Sequence, residues 1–183
     1  MRAVRDGDVE QLGVLFERYH ARVHALCSRL TRRADIADDL AQEVFLRVLR
    51  YPDGFREESS LATWLYRIAY NVCHDHWRRD RRADEVERTL SVGPISPQGV
   101  HAMDERHVRL DEAMARLTPE QRAILVLSRY HDLGYDNIAR VLDCTPAAAR
   151  VRAHRALHEL RETYRELEQR TDHLRASPRI DRR

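Results

Sequence analysis

The sequence predicts an all-α protein of two small helical domains joined by a flexible linker, the second domain ending in a helix-turn-helix. Three observations carry this prediction. Apolar residues recur at the 3.6-residue spacing of buried helix faces through residues 8–30, 35–50, 61–72 and again from 108 onward. Between them, from about Asp80 to His107, the periodicity fails, and Ser91 to Gly99 holds two prolines and two glycines, the composition of a linker. Tyr135 to Arg161 then reads as two helices separated by a tight turn. The expected boundaries are a first domain over 1–80, a linker over 81–107, a second domain over 108–168 and a basic tail over 169–183.

Residues 8–30 form the first expected helix, with Leu12, Leu15, Phe16, Tyr19, Val23, Leu26 and Leu30 facing inward. His20, His24 and Cys27 share one side of it at i, i+4 and i+7. No fourth ligand accompanies them, so packing accounts for the row better than a metal does. Asp35 to Arg50 is a second amphipathic helix, with Ala37, Leu40, Ala41, Val44 and Val48 inside. Its outer face sets Asp38, Asp39, Gln42, Glu43 and Leu46 together. That mixture of acid, amide and exposed leucine suits either solvent or a basic protein partner.

Pro52 and Gly54 stop this helix. Ser59 or Ser60 can cap a third helix, buried along Leu61, Leu65, Ile68, Ala69 and Val72. Outside that stripe lie Trp64, Arg67, Asn71, Asp75, Trp77 and Arg78, followed by Arg79, Arg81 and Arg82. Rings, amides and arginines on one side can hold single-stranded bases by stacking and their backbone by charge. The same residues also fit two core tryptophans and a basic helix end that complements the helix dipole.

In the second domain, Leu110, Ala113, Met114 and Leu117 make a short helix. Thr118-Pro119-Glu120-Gln121 is a capping box with proline at the first helical position. Ile124, Leu125, Leu127 and Tyr130 are expected to face inward before the Asp132-Leu133-Gly134 turn. Ile138, Val141 and Leu142 form the inner face of the next helix, and Thr145 and Pro146 open the last one. There Ala149, Ala153, Ala156 and Leu160 stack as an apolar stripe. Ala147, Val151, His154, Arg155 and His158 lie opposite, flanked by Arg150 and Arg152. Small residues at the helix start and cations outward suit the major groove of DNA.

Composition narrows the classes. With 34% charged and 43% hydrophobic residues, the 183-residue chain belongs with soluble helical proteins rather than disordered ones. Net charge is only +2, so binding to nucleic acid must come from local placement of charge. All 32 basic residues are arginine. No apolar run approaches the ~20 residues of a membrane span, and the N-terminus lacks the apolar core of a secretory signal. A cytoplasmic protein with no membrane insertion is expected. Cys27, Cys73 and Cys144 are odd in number and scattered, as fits reduced thiols.

Two helical domains, an exposed acidic helix in the first and a helix-turn-helix in the second resemble the extracytoplasmic-function class of sigma-70 family RNA polymerase sigma factors, which retain the family's domains 2 and 4. DDLAQEVFLRVLR at Asp38 to Arg50 is similar to the core-polymerase-binding segment. FREESSLATWLYRIAYNVCHDHWRR at Phe55 to Arg79 resembles the segment that melts promoters and reads the minus-10 element, and LTPEQRAILVLSRYHDLGYDNIARVL at Leu117 to Leu142 the start of domain 4.

The resemblance implies partners: core RNA polymerase through its β′ clamp helices and β flap, promoter DNA, and an anti-sigma factor. It implies that Asp38, Asp39, Gln42, Glu43 and Leu46 dock on the clamp helices. Minus-10 contacts would come from Phe55, Arg56, Glu58, Ser59, Ser60, Trp64, Arg67, Asn71 and Asp75, with Arg78 and Arg79 on phosphate. Minus-35 contacts would come from Ala147, Arg150, Val151, Arg152, His154 and Arg155. It implies no catalytic residue, cofactor or metal. The family often has Thr-Val-Lys-Ser-Arg where this chain has Ala148-Ala149-Arg150-Val151-Arg152, so the promoter sequence read does not transfer. Asp143 stands at the frequent turn glycine.

Two other classes compete. A helix-turn-helix regulator acting without polymerase would not need the acidic helix, and co-purification with core polymerase separates the two. A helical metal phosphohydrolase could use His74-Asp75 and His131-Asp132. One pair falls on a helix and the other in a turn, with no further ligand cluster.

Overall fold

The structure is a computed structural model describing residues 9–56, 58–87 and 105–176. Those residues form seven α-helices and one short 3-10 turn, and no strand occurs among them. Helices α1 (Val9–Thr31), α2 (Ala37–Arg50) and α3 (Leu61–Glu87) pack together as a first unit. Helix α1 ends on Arg32, whose left-handed φ of 59° lets its N–H donate to the Ser28 carbonyl at 2.8 Å, the usual way of satisfying a last-turn carbonyl. The 3-10 turn Pro52–Gly54 separates α2 from α3.

Val23, Leu26, Leu30, Ala41, Val44, Ala69 and Val72 fill the centre of this unit, with Cys27 and Cys73 fully buried among them. Phe16 departs from expectation. It is 38% exposed and lays its ring on Phe45 and His20, at 4.8 and 4.5 Å between centroids. Phe45, which the sequence reading assigned to neither face, is the buried one of the two rings. Trp64 and Trp77 are both half-buried, neither wholly in the core nor free of it.

Helices α4 (Glu105–Arg116), α5 (Pro119–Arg129), α6 (Tyr135–Val141) and α7 (Pro146–Ala176) make the second unit. The capping box at α5 is complete. Gln121 N donates to Thr118 Oγ1 at 3.2 Å, and Thr118 N to Gln121 Oε1 at 2.9 Å. Tyr130 does not face inward as expected. Helix α5 ends at Arg129, and the ring beyond it is 53% exposed beneath the Arg29 guanidinium.

Helix ends fall outside the sequence boundaries in three places. Helix α3 runs to Glu87, since Arg81 to Glu87 holds no glycine or proline to stop it. Helix α4 begins at Glu105, and α7 continues to Ala176. The rest of the expected linker, 88–104, and of the expected tail, 177–183, lies outside the described residues.

The two units are packed on one another. Helix α1 contacts α5, α3 contacts α6, and one large cluster of buried apolar residues runs through both units, while Leu15, Val48 and Leu65 form a smaller one within the first. Arg122 sits at this junction, 8% exposed. Its guanidinium donates to the carbonyls of Met114, Ala115 and Leu117 at the end of α4, at 3.1, 3.3 and 3.1 Å, and to the Leu30 carbonyl at the end of α1 at 3.0 Å. Helix ends leave unpaired carbonyls and carry negative partial charge, so two of them can hold a buried cation without a carboxylate. Burial, with Arg32 nearby, still lowers the Arg122 pKa to about 10.

Candidate functional site

Three surfaces carry the residues singled out by sequence. The first is the outer face of α2. Ala37, Leu40, Ala41, Val44 and Val48 are buried, which turns Asp38, Asp39, Gln42 and Leu46 outward, with Leu46 44% exposed and Glu43 half-buried. Leu49 and Tyr51 add exposed apolar surface at the same end of the helix. Asp38 also meets His24 Nε2 at 3.4 Å.

The second surface begins in the loop before α3. Ser60 is the cap, its Oγ accepting from Thr63 N at 3.1 Å and meeting Thr63 Oγ1 at 2.8 Å. The Phe55 ring lies 5.5 Å from that of Trp64, and Gly54 passes beneath the same indole, so the loop is folded onto the first turn of α3. Arg56, Glu58 and Ser60 are exposed and Ser59 half-buried. Further along α3, Arg67, Asn71, Arg78 and Arg79 face solvent and Asp75 is half-buried.

Two clefts organise these side chains. One, of about 590 Å³, is lined by Asp39, Leu40, Glu43, Arg47, Asp75, Arg78 and Arg79, so the acidic face of α2 and the arginine pair of α3 open on the same space. Arg47 spans it, with Nε on Glu43 at 2.9 Å and both terminal nitrogens on Asp75 at 3.2 Å. The other, of about 110 Å³, is lined by Glu58, Ser59, Thr63, Trp64 and Arg67 of the first unit and Arg140 of α6. Arg140 donates to the Glu58 carbonyl. Sequence reading passed over Arg47 and Arg140. Spacing alone shows which helix face a residue takes, not which partner it meets across helices.

The third surface is the start of α7. Thr145 Oγ1 caps it by accepting from Ala148 N at 3.2 Å. Asp143 adopts φ 51°, and Cys144 N donates to the Ala139 carbonyl at 2.9 Å, closing the turn from α6. Asp supplies the left-handed residue in glycine's place. Ala149, Ala153 and Ala156 are buried against α5 and α6, while Ala147, Arg150, Val151, Arg152, His154 and Arg155 are exposed. The Arg150 guanidinium lies 5.5 Å over the Tyr135 ring.

His74 and His131, the histidines of the metal reading, are not brought together. His74 packs against Tyr70 and Trp77, and His131 against Tyr66. Among the described residues no group of three or more His, Cys, Asp or Glu is placed to hold a metal, and no helix is long and apolar enough to cross a membrane.

This geometry agrees with the likeness to known proteins. Residues 15–83 match Sigma-70 region 2 and residues 107–160 match Sigma-70, region 4, falling on the two packed units. The chain is 33% identical over 171 residues to the RNA polymerase sigma factor CarQ of Myxococcus xanthus, covering 92% of this chain and 97% of that protein. It is 30% identical over 165 residues to the ECF RNA polymerase sigma-E factor of Escherichia coli strain K12, covering 84% and 86%. The chain belongs to the sigma-70 family, among its extracytoplasmic-function (ECF) sigma factors.

Sigma factors of this family are initiation factors that give core RNA polymerase its promoters, and the chain carries both family regions that do so. The fold agrees as well. The sigma factor RpoE of Bartonella quintana, solved in complex with the anti-sigma factor NepR, superposes with a TM-score of 0.70 at 20% identity over 86% of this chain and 97% of that one.

Proposed function

We propose how this sigma factor divides its work among the three surfaces. The acidic face of α2, Asp38, Asp39, Gln42, Glu43 and Leu46, docks on the β′ clamp helices of core polymerase, and the second unit on the β flap. The loop from Phe55 to Leu61, with Trp64 and Arg67, receives a base flipped from the minus-10 element. Asn71 and Asp75 lie beside it, and Arg78 and Arg79 take phosphate. Ala147, Arg150, Val151, Arg152, His154 and Arg155 enter the major groove at the minus-35 element.

The observation that carries this reading is the start of α7, where three buried alanines fix the helix and turn three arginines and a histidine outward behind a capped, small-residue N-terminus. Such a helix can approach base edges closely. Opening the duplex without ATP requires the unstacking cost of a flipped base, a few kcal/mol, to be returned by stacking and phosphate contacts. A small helical unit can do this only when polymerase holds it in place.

The chain works in the cytoplasm as a non-catalytic subunit, without metal or cofactor. We also place it under an anti-sigma factor, since the structural neighbour from Bartonella quintana was solved with one. The test is run-off transcription with core polymerase on a library of random promoter DNA. Specific transcripts appearing only when the chain is added support the reading. A polymerase as indiscriminate with the chain as without it refutes it. The regulator alternative predicts DNA binding but no co-purification with core.

A further inference from the structure

We propose that Val151, with Ala147 one turn before it, reads the methyl group of a thymine in the minus-35 element, so that α7 selects a T·A pair there by apolar contact. The proposal rests on the assignment of α7 to that element and names what the helix recognises.

Val151 differs in kind from its neighbours. The exposed side chains along the start of α7 include Arg150, Arg152, His154 and Arg155, and among them the isopropyl group of Val151 is 49% exposed. The core does not need it. Ala149, Ala153 and Ala156 supply the buried stripe of the helix, and a β-branched residue forms helix less readily than alanine or arginine. Ala147 lies four residues earlier and is exposed as well, so the two share one side of the helix, roughly 6 Å apart along its axis. Together they make a short apolar strip bordered by cations.

The strip is open to a ligand. The Arg150 guanidinium lies 5.5 Å over the ring of Tyr135, the first residue of α6. A planar guanidinium stacked on a ring is held in one place, and the valine beside it remains uncovered. Ala147 ends at its Cβ, and Thr145 Oγ1 fixes the first turn by accepting from Ala148 N. The helix start is therefore both firm and slim enough to bring Val151 against a base edge.

Chemistry then decides the base. In the major groove the thymine methyl is the one apolar group, and the other edge positions are hydrogen-bond donors and acceptors. Valine set against one of those strips its water and returns no hydrogen bond. Set against the methyl, it removes apolar surface of both partners from water. The same side chain rewards thymine and penalises the alternatives, so one contact yields specificity.

The experiment uses holoenzyme assembled from the full chain and core polymerase. The minus-35 element is first selected from random promoter DNA. Each thymine in it is then replaced singly by deoxyuridine, which pairs identically but lacks the methyl, and binding is titrated for the parent and Val151→Ser. Circular dichroism confirms that the variant keeps the helix content of the parent.

In the parent, deoxyuridine at one thymine should weaken binding about fourfold, the worth of one buried methyl. Val151→Ser should bind the thymine and deoxyuridine duplexes alike. With a C·G pair at that position, 5-methylcytosine should bind the parent more tightly than cytosine, since it restores the methyl. The proposal is overturned if the selected element holds no thymine, if no deoxyuridine weakens the parent, if the two cytosines bind equally, or if Val151→Ser discriminates the methyl as the parent does. Each of those results leaves the minus-35 assignment standing, because an element has been selected. Failure to select any element at minus-35 sinks that assignment, and the proposal with it.

Discussion

Arg47, near the end of α2, holds Asp75 of α3 at 3.2 Å while its Nε holds Glu43 of its own helix at 2.9 Å. One guanidinium thus couples the face proposed for polymerase to the face proposed for DNA. Burial works against its charge, and the two carboxylates more than offset this, leaving the Arg47 pKa above its ordinary value. All three side chains are about a third to a half exposed, so the pairing is worth about 1 kcal/mol. Arg47→Ala is expected to lower the urea unfolding free energy by about that amount. It should also weaken open-complex formation in permanganate footprints, because Asp75 loses the contact that positions it. A variant with unchanged footprint and unfolding midpoint would leave Arg47 without a role.

Much of this fold was legible because its signals are local. Capping at Thr118 and Thr145 follows from residue type and position alone, and both caps form, while for α3 residue type left Ser59 or Ser60 and the structure uses Ser60. The inner faces of α2 and α7 follow from 3.6-residue spacing. What escaped was long-range. Arg122 looks in sequence like one more surface arginine, and only the meeting of two helix C-termini makes its burial tolerable. Phe16 and Phe45 meet ring to ring from two helices, and spacing within either helix cannot say which of them is buried. The contact of Arg140 with Glu58 joins residues far apart in the chain, and no pattern within either segment announces it.

The capping box at α5 offers a test of domain stability separate from any partner. Thr118→Ala removes the acceptor for the Gln121 amide and should cost about 1 kcal/mol. Thr118→Ser should recover most of it. Thermal unfolding by circular dichroism is the measurement. Equal melting temperatures for parent and Thr118→Ala would show that the packing of α5 carries the helix without its cap.

Arg155 lies on the exposed face of α7, one turn beyond Val151. If it reads a base edge, Arg155→Ala should weaken minus-35 binding by about 1–3 kcal/mol and relax preference at one position. If it touches only phosphate, the loss should be uniform across sequences, with the salt slope falling by about 1. Titrations of holoenzyme on duplexes at several salt concentrations separate the two. A footprint and salt slope both unchanged would remove Arg155 from the interface.

His131 gives the junction a pH dependence of defined sign. Burial, reinforced by the positive charges of Arg29 and Arg22 and opposed by Asp132, lowers its pKa from 6.5 to about 4. Its Nε2 is buried without a hydrogen-bond partner, and its ring packs on Tyr66. The native imidazole therefore stays neutral where the unfolded one takes a proton. Between pH 6.5 and about 4 the unfolded state binds more protons, so stability falls as pH drops through that window and levels off below it. With allowance for the ring's partial exposure, the loss is about 1–2 kcal/mol. His131→Phe keeps a ring against Tyr66 and cannot titrate. The chain has ten histidines, so the informative quantity is the difference in unfolding free energy between parent and variant, measured in urea at pH 7 and pH 4.5. The parent should lose more stability than the variant on acidification. Equal losses would mean that His131 takes its proton in the native state as readily as in the unfolded chain.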